Sequence, residues 1–176
     1  MEVWTKSGLV TYYLLFVMQV ASRRVQLAGC TVNPTVAWMR QIARNLTDPF
    51  DGFLLDIRYL LMDRDGKFCP QFHQLMELSR VHCVRLPPRS PNLTPHIERF
   101  MRTIKEECLT RMVLFGEHSL REAIKQFSAH YHWERNHQGL DNRLIEPRDE
   151  VDRVTGELCC RERLGGMLRY YYRRAA

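Results

Sequence analysis

The sequence lacks any Cys-x-x-Cys pair, although it contains six cysteines. The only two thiols close in the chain, Cys159 and Cys160, are adjacent, and adjacent residues cannot easily bind one zinc ion. The seven histidines add no spacing typical of a zinc site. We therefore expect no structural zinc finger, and we expect reduced thiols, as in a cytosolic protein.

The sequence also lacks an apolar run long enough to span a bilayer. The longest candidate, residues 9–22, follows Lys6 and ends in small residues, which is the pattern of a secretory signal. Glu2 ahead of the run, two tyrosines and a glutamine inside it and two arginines directly after it argue against such a signal. Its β-branched and aromatic residues favour a buried strand instead. We therefore predict a cytoplasmic protein that does not contact membranes.

Acidic residues are too few to balance the basic ones. The chain has 26 lysines and arginines against 20 aspartates and glutamates, a formal net charge of +6. Such an excess suits a polyanionic partner, but it also occurs on proteins that bind no nucleic acid. The last sixteen residues contain five arginines, one glutamate and three consecutive tyrosines. This tail either binds phosphates and stacks on bases or is a solvated chain end.

The order of the predicted elements indicates an α/β fold. Apolar runs predict strands at residues 9–20, 24–32, 59–62 and 81–86. Helical spacing predicts helices at residues 35–46, 70–78, 96–112 and 119–134. Ser119 and Glu122 have the spacing of a capping box, which places the start of the last helix at Ser119. With no internal repeat or low-complexity linker, we predict one mixed-sheet core at residues 1–150 and a basic tail at 151–176.

Asp63 directly follows the predicted strand at residues 59–62. The carboxyl ends of strands form the usual ligand-binding edge of open α/β sheets. Asp65 and Gly66 supply a turn by themselves, so turn formation does not explain Asp63. Asp63 is therefore a candidate functional carboxylate, whereas the turn accounts for Asp65.

Glu98 lies at the start of a predicted helix, with Arg102 and Lys105 four and seven residues later on the same face. Two interpretations stay open. In the first, Glu98 is a metal ligand flanked by cations that contact phosphates. In the second, its charge complements the dipole of the helix start and pairs with Arg102.

Three segments, in this order, resemble the catalytic core of insertion-sequence transposases and retroviral-type integrases. They read MDRDGKF at 62–68, SPNLTPHIERFMRTIKEEC at 90–108 and HYHWERNHQGL at 130–140. In that family the second aspartate of an Asp-Asp-Glu triad ends a strand, and this position matches Asp63. The triad glutamate matches Glu98, 35 residues later. The family's downstream signature Tyr-x-x-x-Arg-x-His-x-x-Leu resembles Tyr131, Arg135, His137 and Leu140.

The resemblance covers nearly the whole chain and implies an RNase H-like mixed sheet flanked by helices. It implies chemistry by two divalent ions, Mg²⁺ or Mn²⁺, bound by clustered carboxylates that include Asp63 and Glu98. The implied reactions are cleavage of DNA and transfer of its strand, by a homo-oligomer on the bacterial nucleoid. The implied DNA contacts are Arg102, Lys105, Arg135 and His137.

The family's first triad aspartate has no counterpart, because no aspartate precedes Asp48. Glu2 lies several residues past the expected position and, by strand alternation, on the other face. The sequence thus resembles a core truncated at its amino end, without the helix-turn-helix part typical of these elements. Three functions stay open: a transposase or integrase, a nuclease of the same fold, and a catalytically inactive DNA-binding or oligomerisation module.

Overall fold

The computed structural model describes residues 1–87, 94–148 and 154–174. Its strands are β1 (Glu2–Thr5), β2 (Gly8–Thr11), β3 (Tyr13–Met18), β4 (Val25–Thr31), β5 (Tyr59–Met62), β6 (His82–Arg85), β7 (Glu157–Arg163) and β8 (Leu168–Arg174). Its α-helices are α1 (Val36–Leu46), α2 (Pro70–Leu78), α3 (Pro95–Ile104) and α4 (Gly116–Trp133). A π-helical turn, Lys105–Leu109, follows α3, and short 3₁₀ turns occur at Gln138–Leu140 and Leu164–Gly166.

In the described ranges the strands pair as four two-stranded sheets: β1 with β2, β3 with β4, β5 with β6, and β7 with β8. β5 and β6 are parallel, with Tyr59 opposite His82 and Met62 opposite Arg85. β7 and β8 are antiparallel. The predicted α/β class is confirmed, while the RNase H-like arrangement of the strands in one mixed sheet stays a prediction.

The chain divides into two compact units. The first comprises Met1–Glu2, Val10–Val17 and Gln26–Glu98, and the second comprises Val3–Leu9, Met18–Val25 and Arg99–Ala176. The predicted boundary between core and tail, at residue 150, falls outside the described ranges and stays a prediction. The loop predicted at residues 89–95, which includes part of the second family motif, also falls largely outside them, because the described ranges omit residues 88–93.

The core of the first unit is formed mainly by α1 and α2. The Oγ1 atom of Thr35 accepts the N–H of Trp38 at 3.2 Å, which caps the start of α1. The inward face of α1 packs with α2 and with Met62 of β5. Full burial of each large apolar side chain contributes about 1.5–3 kcal/mol. The buried helical residues are Met39, Ile42, Ala43 and Leu46 of α1 and Phe72 and Met76 of α2.

The core of the second unit is formed by α4 with the residues that follow Glu98 in α3. Phe100 meets the edge of Tyr131 with 4.9 Å between ring centroids, and Phe127 stacks on Tyr131 at 6.2 Å. Cys108 in the π-helical turn is fully buried, and burial raises the pKa of its thiol to about 11. None of the helices in the described ranges has the length and apolarity needed to cross a membrane.

Three predicted boundaries are wrong. The predicted strand 9–20 is divided at Tyr12 into β2 and β3, because these two segments pair with different strands, β1 and β4. The α-helix predicted to Met112 ends at Ile104 and continues only as the π-helical turn. The capping box is wrong, since α4 begins three residues before Ser119. The extra turn carries an ion pair between Glu117 and Arg121, at 2.6 Å, which stabilises the earlier start.

Candidate functional site

Asp63 lies one residue beyond β5, at the carboxyl end of the parallel pair β5–β6. The N–H of Leu86 donates to the Met62 carbonyl at 2.9 Å, so the two strands end at the same level. The side chain of Asp63 is exposed, and its Oδ1 accepts the N–H of Asp65 at 3.0 Å. The strand end is where the sequence predicted this carboxylate, and its catalytic role stays a prediction.

The turn after Asp63 is held by contacts of its neighbours. Asp65 accepts the N–H of Lys67 at 2.9 Å and the Lys67 ammonium at 2.6 Å. The hydrogen bond from the Lys67 side chain holds the pKa of Asp65 below its usual value. The Nε of Arg64 donates to the Leu86 carbonyl at 3.0 Å, which ties this turn to the end of β6. Asp65 is therefore a turn residue, as the sequence predicted. The prediction that the turn needs no help from Asp63 is wrong, because the exposed Asp63 carboxylate accepts the Asp65 N–H.

Glu98 lies in the first turn of α3 and is exposed. Its N–H donates to the Thr94 carbonyl at 3.1 Å, and its Oε1 accepts the Thr94 hydroxyl at 2.7 Å. These contacts fit the interpretation that Glu98 stabilises a helix start. They are equally compatible with a metal ligand, because a carboxylate has lone pairs for several partners. Arg102 and Lys105, further along the same chain segment, are also exposed.

Asp63 and Glu98 have the type of donor atom that binds a divalent cation. Hard oxygen atoms are the donors that Mg²⁺ and Mn²⁺ prefer, and Asp63 and Glu98 belong to the same unit. Among the residues that the structure describes, however, no group of three or more His, Cys, Asp or Glu side chains could hold a metal ion.

The downstream motif is part of the packing around the end of α4. The Nε2 of His137 donates to the Tyr131 carbonyl at 2.8 Å, and the two rings meet edge to face. Burial lowers the pKa of His137 and raises that of Tyr131. Arg135 forms an ion pair with Glu107 of the π-helical turn. These contacts explain the motif structurally, and the predicted DNA contacts of Arg135 and His137 stay predictions.

Glu134 is a buried carboxylate at the end of α4, and its side chain is 0% exposed. It accepts Arg163 Nη2 at 2.6 Å, Arg161 Nη1 at 3.3 Å and His130 Nδ1 at 3.1 Å. Burial alone would raise the pKa of Glu134, but the hydrogen bonds from Arg163 and His130 outweigh it and the pKa is lowered. The ionised Glu134 therefore holds β7 at the end of α4 through ion pairs with Arg161 and Arg163.

One comparison with known families gives a match. Residues 79–144 match the family model of the integrase core domain. This segment is similar to that domain. It contains Glu98, Arg102, Lys105, Arg135 and His137, and it begins after Asp63. The resemblance seen in the sequence is thus confirmed over just over a third of the chain, and no curated protein matches the chain.

The integrase core segment indicates a function related to DNA transposition or integration, and integrase cores generally depend on a divalent metal. It also contains two buried residues that sequence reasoning missed, His132 and Glu134. The Nε2 of His132 accepts the N–H of Val25 at 3.0 Å. For Glu134 a signal was present, because a buried carboxylate needs cationic partners and the tail is rich in arginine. For His132 no sequence signal identifies the distant backbone donor.

Proposed function

We propose that the chain is the catalytic core of a DNA transposase or integrase, with an RNase H-like fold in which Asp63 and Glu98 help to bind a divalent cation. The observation that carries the proposal is the exposed Asp63 carboxylate at the shared end of two parallel strands. Ligand sites of α/β sheets lie at that edge. The integrase core segment adds Glu98, a second exposed carboxylate in the same unit.

The side chains of the site have distinct parts in this proposal. A divalent cation, when bound, polarises the phosphodiester and assists the attacking oxygen. Asp63 and Glu98 would contribute hard oxygen donors and negative charge to such a cation. Arg102, Lys105 and Arg135 present positive charge to DNA phosphates, and His137 adds a further DNA contact. Phosphate contacts position the DNA without reading its sequence.

Binding of Mn²⁺ tests the carboxylates directly. Asp63→Asn and Glu98→Gln should each weaken Mn²⁺ binding, measured by isothermal titration calorimetry or by the electron paramagnetic resonance of the free ion. Asp65→Asn is the matched control for the first variant, because Lys67 already occupies that carboxylate. Glu106→Gln, an exposed carboxylate in the π-helical turn, is the control for the second. Equal effects of variants and controls would refute a specific metal site.

Cleavage of DNA tests the reaction. The first triad aspartate has no counterpart in this chain, so nicking of supercoiled plasmid DNA in Mn²⁺ by the wild-type chain would show that the remaining carboxylates suffice, and Asp63→Asn and Glu98→Gln should then remove that activity. Asp65→Asn should keep it. Nicking that survives both Asp63→Asn and Glu98→Gln would contradict the proposed site.

A second candidate function is DNA binding without catalysis. Two observations favour it: the first triad aspartate has no counterpart in the chain, and among the described residues no group of three or more His, Cys, Asp or Glu side chains could hold a metal ion. This candidate predicts DNA affinity that is unchanged by Asp63→Asn, together with no nicking in Mn²⁺. The first candidate includes self-association, since joining two DNA ends requires more than one copy. Sedimentation of the chain with and without DNA measures that association.

A further inference from the structure

The hairpin formed by β7 and β8 has two faces of different character. Antiparallel pairing runs from Glu157 opposite Arg174 to Arg163 opposite Leu168, and side chains alternate between the faces. The inner face holds the half-buried residues Cys159, Arg161, Arg163, Leu168, Tyr170 and Tyr172. The outer face holds the exposed residues Leu158, Cys160, Glu162, Arg169, Tyr171 and Arg173.

The inner face fixes the hairpin to α4. Its two arginines, Arg161 and Arg163, both donate to Glu134. The N–H of Leu164, at the hairpin turn, donates to Gln126 Oε1 at 2.8 Å. Tyr170 and Tyr172 stack at 6.0 Å, and the guanidinium of Arg161 lies 4.7 Å from the Tyr172 ring. The positive charge of the inner face is thus used for attachment, and the hairpin is a fixed part of the second unit.

The outer face carries a short cationic row on β8. Arg169, Tyr171 and Arg173 occupy alternate positions, so they point the same way. The Tyr171 side chain is 60% exposed, and the Arg169 side chain is 57% exposed. Arg169 forms an ion pair with Glu162 at 3.0 Å, and Arg173 donates to the Gly156 carbonyl at 2.9 Å. The Cα atoms of Arg169 and Arg173 are therefore about 13 Å apart along the strand, with the exposed Tyr171 between them.

We propose that this outer face binds the sugar–phosphate backbone of DNA. Arg169 and Arg173 contact phosphates, and the Tyr171 ring packs between them on a sugar or a base. The inference rests on the proposed function, from which DNA follows as the polyanion. A second copy of the chain is the weaker occupant, because Leu158 and Tyr171 alone provide too little apolar area for a stable interface.

The slope of log affinity against log salt concentration tests the two arginines in the full chain. Each arginine that neutralises a phosphate contributes about 0.9 to that slope on duplex DNA. Arg169→Gln and Arg173→Gln should therefore each lower the slope by about 0.9, measured by fluorescence anisotropy on a labelled duplex. Arg40→Gln, an exposed arginine of α1, is the matched control and should leave the slope unchanged.

Glu162→Gln should change DNA affinity in the direction opposite to Arg169→Gln and Arg173→Gln. Removing the carboxylate that pairs with Arg169 should free this cation and strengthen DNA binding several-fold. A hairpin with only a structural role would not gain affinity in this way. Thermal unfolding followed by circular dichroism verifies that each variant is folded.

The outcomes separate the inference from the function on which it rests. A wild-type chain that binds no DNA would refute both. DNA binding with slopes unchanged in Arg169→Gln and Arg173→Gln would refute only the role of the hairpin. Unchanged slopes together with a dimer that is lost in Tyr171→Ala would identify the outer face as an interface between copies. Lowered slopes in both arginine variants, with a normal slope in Arg40→Gln, would support the inference.

Discussion

His137 is fixed to Tyr131 by two contacts at once. Its Nε2 donates to the Tyr131 carbonyl at 2.8 Å, and its ring meets the Tyr131 ring with 4.6 Å between centroids. Tyr131 in turn packs on Phe100 and Phe127. The histidine of the downstream motif is therefore connected to the aromatic core of the second unit.

Replacing His137 should first affect stability. His137→Ala removes a partly buried hydrogen bond and a ring contact, so we expect a loss of about 1–3 kcal/mol in the free energy of unfolding. Urea denaturation measures this loss. His118→Ala, at an exposed position of α4, should change stability little. An unchanged urea midpoint combined with weaker DNA binding would instead show that His137 acts directly on DNA.

Protonation of His132 should destabilise the second unit. Burial lowers the pKa of His132 below its ordinary value of 6.5, and its Nε2 accepts the Val25 N–H only when neutral. The unfolded chain then binds the proton more readily, so stability is complete above pH 6.5 and falls as the pH drops below it. Urea midpoints between about pH 8 and pH 5 measure the effect.

His132→Gln should flatten part of this pH dependence, because glutamine does not titrate. Some dependence should remain, since burial also lowers the pKa of His137. His118→Gln is the control and should keep the wild-type profile. A profile that is the same in His132→Gln and in the wild type would contradict the assignment.

The Glu134 carboxylate should be among the most sensitive positions for stability. Glu134→Gln removes the negative charge between Arg161 and Arg163, and breaking a buried ion pair costs about 3–5 kcal/mol. The arginines are partly exposed, at 25% and 17%, so we expect a loss near the lower limit. Glu117→Gln breaks the exposed pair with Arg121 and should cost less than about 1 kcal/mol.

The contribution of the Glu134 carboxylate to folding stability should depend on pH over a defined range. Because the pKa of Glu134 is lowered in the folded chain, its contribution is complete above the ordinary value of 4.5 and is lost as the pH falls through the lowered pKa. The difference in stability between wild type and Glu134→Gln should therefore shrink in strong acid. A difference that stays constant below pH 4.5 would show that charge is not the cause.

Gly156 should not tolerate a side chain. Its φ of +104° is unfavourable for other residues, and an added Cβ would lie 2.1 Å from the Arg174 carbonyl oxygen. Backbone cannot yield as a flexible side chain can, so Gly156→Ala should disrupt the end of the hairpin. Protection of the Arg174 amide in hydrogen exchange should decrease. Gly139→Ala, where an added Cβ meets nothing within 4 Å, should have no such effect.

The sequence predicted best where a local signal was complete. β5 and α2 begin and end as predicted, because apolar runs are bounded there by polar or proline residues. Contacts between distant residues explain the differences, as where β2 and β3 pair with different strands and the predicted strand divides at Tyr12. β7 escaped prediction because its stability depends on Glu134, which precedes it by more than twenty residues.

The candidate site likewise combines positions that local sequence patterns predict with contacts that these patterns do not predict. The strand-end position of Asp63 and the helix-start position of Glu98 follow from local patterns, and the structure shows both. The intramolecular partners of Arg135 and His137 do not follow from such patterns. Arg135 pairs with Glu107, which lies on a separate segment. His137 donates to the Tyr131 carbonyl, which is accessible only because α4 ends nearby. A motif read as a DNA-contact pattern thus has a structural explanation as well.

Leu86 is hydrogen-bonded to the residues on both sides of Asp63. Its N–H donates to the Met62 carbonyl, and its carbonyl accepts the Arg64 side chain. Nuclear magnetic resonance frequencies of an amide respond to small changes in such bonds. The Leu86 amide is therefore a built-in spectroscopic probe, able to register an event at residue 63 without any label on the carboxylate itself.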